Sequence, residues 1–268
     1  MSQLDLRREG RVAIVRLAPP DGFMTIDTVR ELGALAEALA GDAGVAAVVL
    51  TGGQPGVFVR HYSVRELEAL SHQLRAKNLR FSAERIAPQR EIDRLLSCLE
   101  TMPKAVIAAI NGHAMGGGFE LALACDLRIA EMGPYWLGLP EINIGLLPGA
   151  GGTQKLARLV GQARALELTL LGRTLSPVEA AGFGLVHEAV PAPVIERALA
   201  LARQLAEKPQ PAFAHIKRLV RQESGRPLAD GLAVERTLFL DTLVSDEALA
   251  RMTGLNRGDY DIRSAKNE

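Results

Sequence analysis

The chain is poor in cysteine, which limits the covalent and metal chemistry open to it. Cys98 and Cys125 are the only cysteines among 268 residues. Both lie in apolar stretches, and neither stands at the spacing of a zinc ligand set. We therefore expect neither a disulfide framework nor a zinc knuckle. We expect a reducing, intracellular compartment.

The chain also lacks a surplus of charge and any long apolar run. Lys and Arg number 31, Asp and Glu number 31, and the formal net charge at pH 7 is zero. Nucleic acid and anionic membranes usually bind proteins through a basic surplus, so we expect neither partner. The most apolar windows, such as residues 105–110, are far shorter than the roughly 18 residues of a membrane span. The opening MSQLDLRREG lacks the apolar stretch of a secretory signal, so we expect a cytoplasmic protein.

What is present is an alternation of apolar strands and amphipathic helices. With 48% hydrophobic and 23% charged residues, the composition is that of a globular protein. Predicted strands cover residues 12–17, 45–50, 105–110 and 127–130. Predicted helices cover residues 27–41, most of 64–99 with a break near 87–88, 119–125 and 155–160. This alternation is typical of an α/β fold.

Beyond Pro191 the pattern predicts helices alone, at residues 194–207, 212–221 and 228–252. We therefore expect an α/β core at residues 1–191 and a helical region at 192–268. The helical region has more apolar positions than one buried stripe can use, among them Leu232, Phe239 and Leu243. We expect those positions to be buried against the core or a second subunit, so the sequence predicts a homo-oligomer.

The segment Asn111 to Glu120, NGHAMGGGFE, is the first candidate for chemistry. Its three glycines stand between a predicted buried strand and an apolar helix. They allow either close approach of a ligand to free backbone N–H groups or tight packing of strand on helix. Glu120 follows directly, on a helix with almost no polar face, and a buried carboxylate there needs a partner. A first-turn acid favoured by the helix dipole is the alternative for Glu120 alone.

A second candidate lies in the segment LGLPEINIGLLPGAGGTQ, residues 137–154. Glu141 is an isolated acid in an apolar loop rich in proline and glycine, so Glu120 and Glu141 form a candidate acid and base pair. The glycine run at 149–152 opens the next predicted helix. It has neither the register of a dinucleotide-binding loop nor the Lys-Ser/Thr ending of a P-loop.

These two segments, with LTGG at 50–53 and SPVEAAGFGLVHEAV at 176–190, resemble the enoyl-CoA hydratase/isomerase (crotonase) family. The resemblance implies a spiral of ββα units with a helical C-terminal trimerisation region, and a trimer or dimer of trimers. It implies an acyl-CoA thioester substrate and no metal or redox cofactor, with CoA part of the substrate. Gly117 matches one N–H donor of the family's oxyanion hole. Glu120 matches the glutamate that activates water, and Glu141 the one that protonates the α-carbon.

The second oxyanion donor is matched less closely. The family's loop has the form Phe-small-small-Gly-small-Asp where this chain has Phe58-Val59-Arg60-His61-Tyr62-Ser63, so the glycine is missing and Tyr62 stands at the donor position. A larger side chain leaves a backbone N–H in place. The resemblance makes six residues candidates for substrate binding. Four lie in or directly after this stretch, namely Phe58, Arg60, His61 and Arg65, and the other two are Gly116 and Arg257.

The leading hypothesis is an enoyl-CoA hydratase that adds water syn across a trans-2-enoyl-CoA, a step of fatty acid metabolism. One alternative is an enoyl-CoA isomerase or another crotonase reaction on a CoA thioester, which needs only the acid matched by Glu141. An alternative of another class is a non-catalytic oligomeric scaffold or an RNA-binding homologue. The altered loop favours this last hypothesis, whereas Glu120, Glu141 and the zero net charge oppose it.

Overall fold

A computed structural model describes residues 2–259 and 261–262 of the chain, which contain ten strands and eleven α-helices. The strands are β1 Leu4–Glu9, β2 Val12–Leu17, β3 Ala47–Gly52, β4 Gly56–Val59, β5 Ala105–Ile110, β6 Gly112–Met115, β7 Leu127–Glu131, β8 Leu137–Gly138, β9 Thr174–Leu175 and β10 Glu188–Val190. The α-helices are α1 Ile26–Gly41, α2 Val64–Ala76, α3 Glu91–Thr101, α4 Gly117–Ala124, α5 Gly152–Val160, α6 Gln162–Leu170, α7 Pro177–Gly182, α8 Val194–Ala206, α9 Gln210–Arg218, α10 Leu228–Leu243 and α11 Asp246–Arg257. Short 3₁₀ turns cover Pro20–Gly22 and Glu141–Ile144, and a π-helical turn covers Leu219–Glu223.

The larger sheet has six strands in the order β1-β2-β3-β5-β7-β10. Strand β1 runs antiparallel to β2, and every other neighbouring pair is parallel. All six residues of β5 are buried, as its unbroken apolar sequence AVIAAI requires of a strand covered on both faces. Because parallel neighbours need crossover connections, the intervening segments carry the helices and the glycine-rich turns.

The smaller sheet, in the order β4-β6-β8-β9, positions the glycine-rich segment. Strand β6 is parallel to both β4 and β8. A Cβ placed on Gly112 would lie 1.8 Å from the carbonyl carbon of Gly56, so only glycine permits this approach. Strand β6 ends at Met115 and leads the chain into Gly116 and helix α4.

The sequence predictions of β2 and β5 are confirmed to the residue, and those of β3, β7, α1, α4 and α8 are confirmed to within a few residues. Two predicted helices were too long. Residues 77–90 are not helical, because Asn78 takes a left-handed conformation with φ of 50° directly after α2. The predicted helix 228–252 divides between Leu243 and Asp246, where Ser245 accepts a 3.2 Å hydrogen bond from the amide of Ala248 and caps α11.

The chain forms two compact units, one ending at Ala206 and the other beginning at Glu207. The first unit includes α8, which packs against β3 and β5, and has a continuous apolar core in which Phe58 and Phe119 are fully buried. A division of domains at residues 191 and 192 stays a prediction. In the second unit, His215 Nε2 and Asp241 Oδ2 lie 2.7 Å apart and link α9 to α10. No helix in the described part of the chain is long and apolar enough to cross a membrane.

Candidate active site

Glu120 is held at the buried start of helix α4. The chain enters this helix through Gly116, whose φ of 48° lies in the region that favours glycine. The amide of Gly116 donates to the carbonyl oxygen of Gly138 at 2.9 Å, which ties the turn to β8. Every residue of α4 is buried, and Glu120 is only 3% exposed. Its carboxylate therefore needs polar partners inside the protein.

Those partners are two backbone amides at the start of helix α5. Oε1 of Glu120 accepts hydrogen bonds from the amides of Ala150 at 2.7 Å and Gly152 at 2.8 Å. The pKa of Glu120 is raised above its usual value, because burial outweighs these two amides and the positive charges of Lys155 and Arg90, which act in the opposite direction. Glu120 thus has an anchored oxygen, Oε1, and a second one without a hydrogen bond among the described residues.

Glu141 lies in a different environment, at the start of a 3₁₀ turn after Pro140. Its Oε2 is buried without a hydrogen-bond partner among the described residues. Burial raises the pKa of Glu141 to about 7, the hydrogen bond from its own backbone amide lowers it, and the charge of Glu120 raises it further. Burial thus raises the pKa of both carboxyls, and they differ in their partners, because Oε1 of Glu120 is bound to two amides while Oε2 of Glu141 has no hydrogen bond within the described part of the chain.

Two backbone N–H groups without partners lie close together near these carboxyls. A Cβ placed on Gly117 would lie 3.3 Å from the amide nitrogen of Tyr62, so the two backbones are adjacent. Within the described residues, neither the Tyr62 nor the Gly117 amide donates a hydrogen bond. Two neighbouring N–H groups without partners are the donors that an oxyanion hole requires.

The loop that carries Tyr62 is fixed on two sides. The amide of Met24 donates to the carbonyl oxygen of His61 at 2.9 Å, and the amide of Ser63 donates to that of Met24 at 2.8 Å. On the other side, the Tyr62 hydroxyl donates to Oε2 of Glu66 at 2.7 Å, and burial with this acceptor raises the pKa of Tyr62. Nδ1 of His61 donates to the carbonyl oxygen of Tyr62 at 2.7 Å.

The sequence analysis did not identify Glu66. The signal available was the Ser63-x-x-Glu66 spacing, which marks a helix start, and Ser63 does accept a hydrogen bond from the Glu66 amide. The Glu66 side chain instead binds Tyr62 and accepts the amide of Ile26 at 3.0 Å. Tyr62 lies four positions before Glu66. Ile26 lies 40 positions away, and no local pattern indicates that partner.

Both carboxyl residues and both residues with unpaired amides line one cavity of about 680 Å³. Six of the residues expected from the sequence line it, namely His61, Tyr62, Gly116, Gly117, Glu120 and Glu141. The sequence analysis missed its apolar walls, formed by Ile26, Val64, Leu67, Leu70, Ile92, Met115, Pro140, Ile144, Leu146 and Leu147.

Other expected residues lie elsewhere. Phe58 is fully buried within β4 and does not line the cavity. Arg60 and Arg65 are exposed and also lie outside its lining. Arg257 is exposed at the end of α11, in the second unit. No group of three or more His, Cys, Asp or Glu side chains that could hold a metal ion occurs among the described residues.

Arg90 is a charged residue of the cavity lining that the sequence analysis did not identify. Its guanidinium donates to Oδ1 of Asp93 at 2.7 Å and to the carbonyl oxygen of Gly149. Gly149 precedes the two amides that bind Glu120. Arg90 thus connects the start of α3 to the loop that holds Glu120.

The model of one protein family, described as enoyl-CoA hydratase/isomerase, matches residues 7–257. A protein from Rhizobium meliloti named probable enoyl-CoA hydratase is 34% identical, over 95% of this chain and 96% of its own length. The fatty acid oxidation complex subunit alpha of Shewanella halifaxensis is 33% identical over 90% of this chain. This chain spans 39% of the length of that subunit.

Among solved structures, an enoyl-CoA hydratase subunit from Geobacillus kaustophilus superposes with a TM-score of 0.84. The two chains are 33% identical, and the match covers 96% of this chain and 95% of the other. The expected crotonase fold is thereby confirmed. With the family model matching nearly the whole sequence and the fold shared, the chain belongs to the enoyl-CoA hydratase/isomerase family.

Proposed function

We propose that this protein is an enoyl-CoA hydratase, which adds water syn across the double bond of a trans-2-enoyl-CoA. The observation that carries the proposal is one cavity lined by two carboxyls, one bound by two backbone amides and the other with a pKa raised to about 7, and by two residues with unpaired backbone N–H groups. Hydration needs a base for the water, an acid for the carbon, and a site for the negative charge on the thioester oxygen.

The two carboxyls take separate roles. Glu120 removes a proton from the water whose oxygen attacks the β-carbon. Glu141 gives its proton to the α-carbon, and the proton taken by Glu120 later restores it. The raised pKa of Glu141 supports its role as the acid, because a group with a pKa of about 7 is half protonated at neutral pH.

The amides of Gly117 and Tyr62 receive the charge that develops on the thioester oxygen. The loss of one such donor typically raises a barrier by roughly 3 to 4 kcal/mol. One donor thus contributes a rate factor of about 10²–10³, which lies within the 10²–10⁴-fold that a single general acid or base usually supplies. The oxyanion hole exceeds that contribution only when both donors are in place. The contribution of Tyr62 therefore depends on how firmly its loop is held.

The proposal extends to the substrate and its surroundings. Arg60 and Arg65 are exposed near the cavity-lining loop and are proposed to bind CoA phosphates, since guanidinium groups bind phosphate in a bidentate manner. Arg257 is proposed to reach the CoA phosphates of a neighbouring subunit. CoA enters as part of the substrate, and the reaction uses no metal or redox cofactor. We place the reaction in cytoplasmic fatty acid metabolism.

The test is the hydration of a trans-2-enoyl-CoA by Glu120→Gln and Glu141→Gln. Each variant is expected to lose activity by orders of magnitude, whereas Glu37→Gln, at an exposed position of α1, leaves it unchanged. Wild-type turnover by either active-site variant would exclude the mechanism. If Glu120→Gln still isomerises a 3-enoyl-CoA and the wild type does not hydrate, the protein is an isomerase. If the wild type turns over no CoA ester and shifts RNA at physiological salt, it is a binding protein.

A homo-oligomer, a trimer or a dimer of trimers, is also proposed. Large apolar side chains are exposed on the helices of the second unit, including Phe239 at 62% and Leu240 at 57%. Such surfaces are typical of subunit interfaces. Light scattering is expected to give a mass of three or six chains, and a monodisperse monomer would contradict the proposal.

A further inference from the structure

Helix α2 presents an apolar face to the cavity. Val64, Leu67 and Leu70 all line it, and they share one face because residues three apart on a helix are neighbours. No residue of α2 is buried, and Val64 and Leu70 are 43% and 47% exposed. The helix thus has an apolar face that the protein itself does not cover.

A second part of the cavity wall has the same character. Ile144, Leu146 and Leu147 follow Glu141 along the chain, line the cavity, and are 57%, 43% and 71% exposed. Two exposed apolar surfaces in the lining of one cavity mark a place for an apolar ligand group. Glu120, Glu141, Gly117 and Tyr62 line the same cavity. The apolar group that binds here therefore belongs to the same ligand as the reacting atoms.

The charges at the cavity wall disfavour a carboxylate at the end of the ligand's acyl group. The guanidinium of Arg90 is already bound to Asp93 at 2.7 Å, and Glu91 is paired with Arg30 at 2.9 Å. The carboxylates of Glu91 and Glu120 would repel an anion. Arg90 and His61 are the only basic side chains among the described lining residues, and Nδ1 of His61 donates to a carbonyl oxygen.

The apolar face of α2 also has a definite length. Val64 and Leu70 are six residues apart, which is about 9 Å along the helix axis. An extended hydrocarbon chain advances about 1.3 Å per carbon, given C–C bonds of about 1.5 Å, so this face spans about seven carbons.

We propose that the acyl group of the substrate is an uncharged chain of about eight carbons or more, and that Leu67 and Leu70 determine this preference. The inference rests on the proposed function, because it assumes that the thioester lies at Gly117 and Tyr62. It adds the substrate class and the residues that select it.

The first experiment measures the binding of saturated acyl-CoA thioesters by calorimetry, since these ligands have no double bond to hydrate. From butanoyl-CoA to octanoyl-CoA, each added methylene is expected to tighten Kd about fourfold. Hexanoyl-CoA is expected to bind about tenfold or more tighter than adipoyl-CoA, which carries a terminal carboxylate. A flat series, or adipoyl-CoA binding as tightly as hexanoyl-CoA, would overturn the inference.

The second experiment assigns the effect to α2. Leu67→Asn and Leu70→Asn are expected to reduce the preference for octanoyl-CoA over butanoyl-CoA by about tenfold, since each removes apolar contact along the chain. Leu74→Asn is the matched control, because Leu74 lies on the same helix but does not line the cavity. If Leu74→Asn lowers the preference as much as the two cavity variants, or if those variants leave it unchanged, α2 does not select the chain. Thermal unfolding checks that all three variants fold.

Hydrogen exchange gives a readout apart from affinity. Amides of residues 64–76 are expected to exchange more slowly with octanoyl-CoA than with butanoyl-CoA, and equal protection contradicts the proposal. Wild-type hydration with a flat chain-length series overturns this inference alone. Absence of both hydration and acyl-CoA binding overturns the proposed function as well.

Discussion

The hydroxyl group of Tyr62 donates a 2.7 Å hydrogen bond to Oε2 of Glu66, the same oxygen that accepts the amide of Ile26. One carboxylate thus joins the loop of the candidate oxyanion donor to the starts of both α1 and α2. The bulky residue at the donor position is thereby anchored through its side chain, and its backbone N–H remains unpaired.

Tyr62→Phe removes this anchor while retaining the ring and the backbone N–H. A hydrogen bond to a charged group contributes about 1.5–3 kcal/mol, so a loosened donor is expected to lower kcat about tenfold with little change in KM. Steady-state kinetics with a trans-2-enoyl-CoA measures both constants. Tyr135→Phe, at a tyrosine outside the cavity lining, is the control and is expected to behave as wild type. A rise in KM at constant kcat would show that Tyr62 acts in binding instead.

The pH dependence of hydration follows from Glu141. The pKa of this carboxyl is raised to about 7, and its protonated form is the proposed acid. Above pH 7 that form decreases tenfold per pH unit, so kcat/KM is expected to fall along the alkaline side with the same slope. A rate profile from pH 6 to 9 measures it, and a flat profile would exclude Glu141 as the acid.

The same shift predicts a change in stability. Folding raises the pKa of Glu141 from 4.5 to about 7, so the native state binds its proton more tightly than the unfolded state. The free energy of unfolding therefore decreases as the pH rises from 4.5 through 7. Glu141→Gln carries no such charge and is expected to be more stable than wild type at pH 8 by about 1–3 kcal/mol, with a smaller difference at pH 5. Denaturant unfolding at both pH values tests this, and equal stability at pH 8 would contradict it.

Gly152→Ala tests the anchoring of Glu120. A Cβ at this position would lie 2.7 Å from Cβ of Pro148 and 2.9 Å from Oε1 of Glu120, which displaces the carboxylate from its two amides. Activity is expected to fall at least tenfold, because misplacement of a catalytic group by about 1 Å costs up to 10²-fold. Gly33→Ala is the control, since nothing lies within 4 Å of that added Cβ in helix α1. The control is expected to keep full activity and gain about 0.5–1 kcal/mol of stability.

The sequence pattern did not predict several of the strands, and the reasons are physical. Strand β1 is charged and exposed along most of its length, so it shows no apolar alternation. Strand β6 contains Gly112, whose low strand propensity is outweighed by the close approach to Gly56 in β4. Strands β8 and β9 have two residues each, too few to form a pattern.

The sequence by itself determined the α/β class, strands β2 and β5, and the two isolated acids, because these features depend on local propensity and on apolar periodicity. It also limited the glycine-rich segment to a few roles, since only a close approach or a positive φ requires glycine. The tertiary structure alone decided that Ala150 and Gly152 bind Glu120, that Glu66 accepts the amide of Ile26, and that α2 lines a cavity together with residues 140–150. These contacts join residues distant along the chain, and no local pattern specifies which long-range partners the packing of the core will bring together.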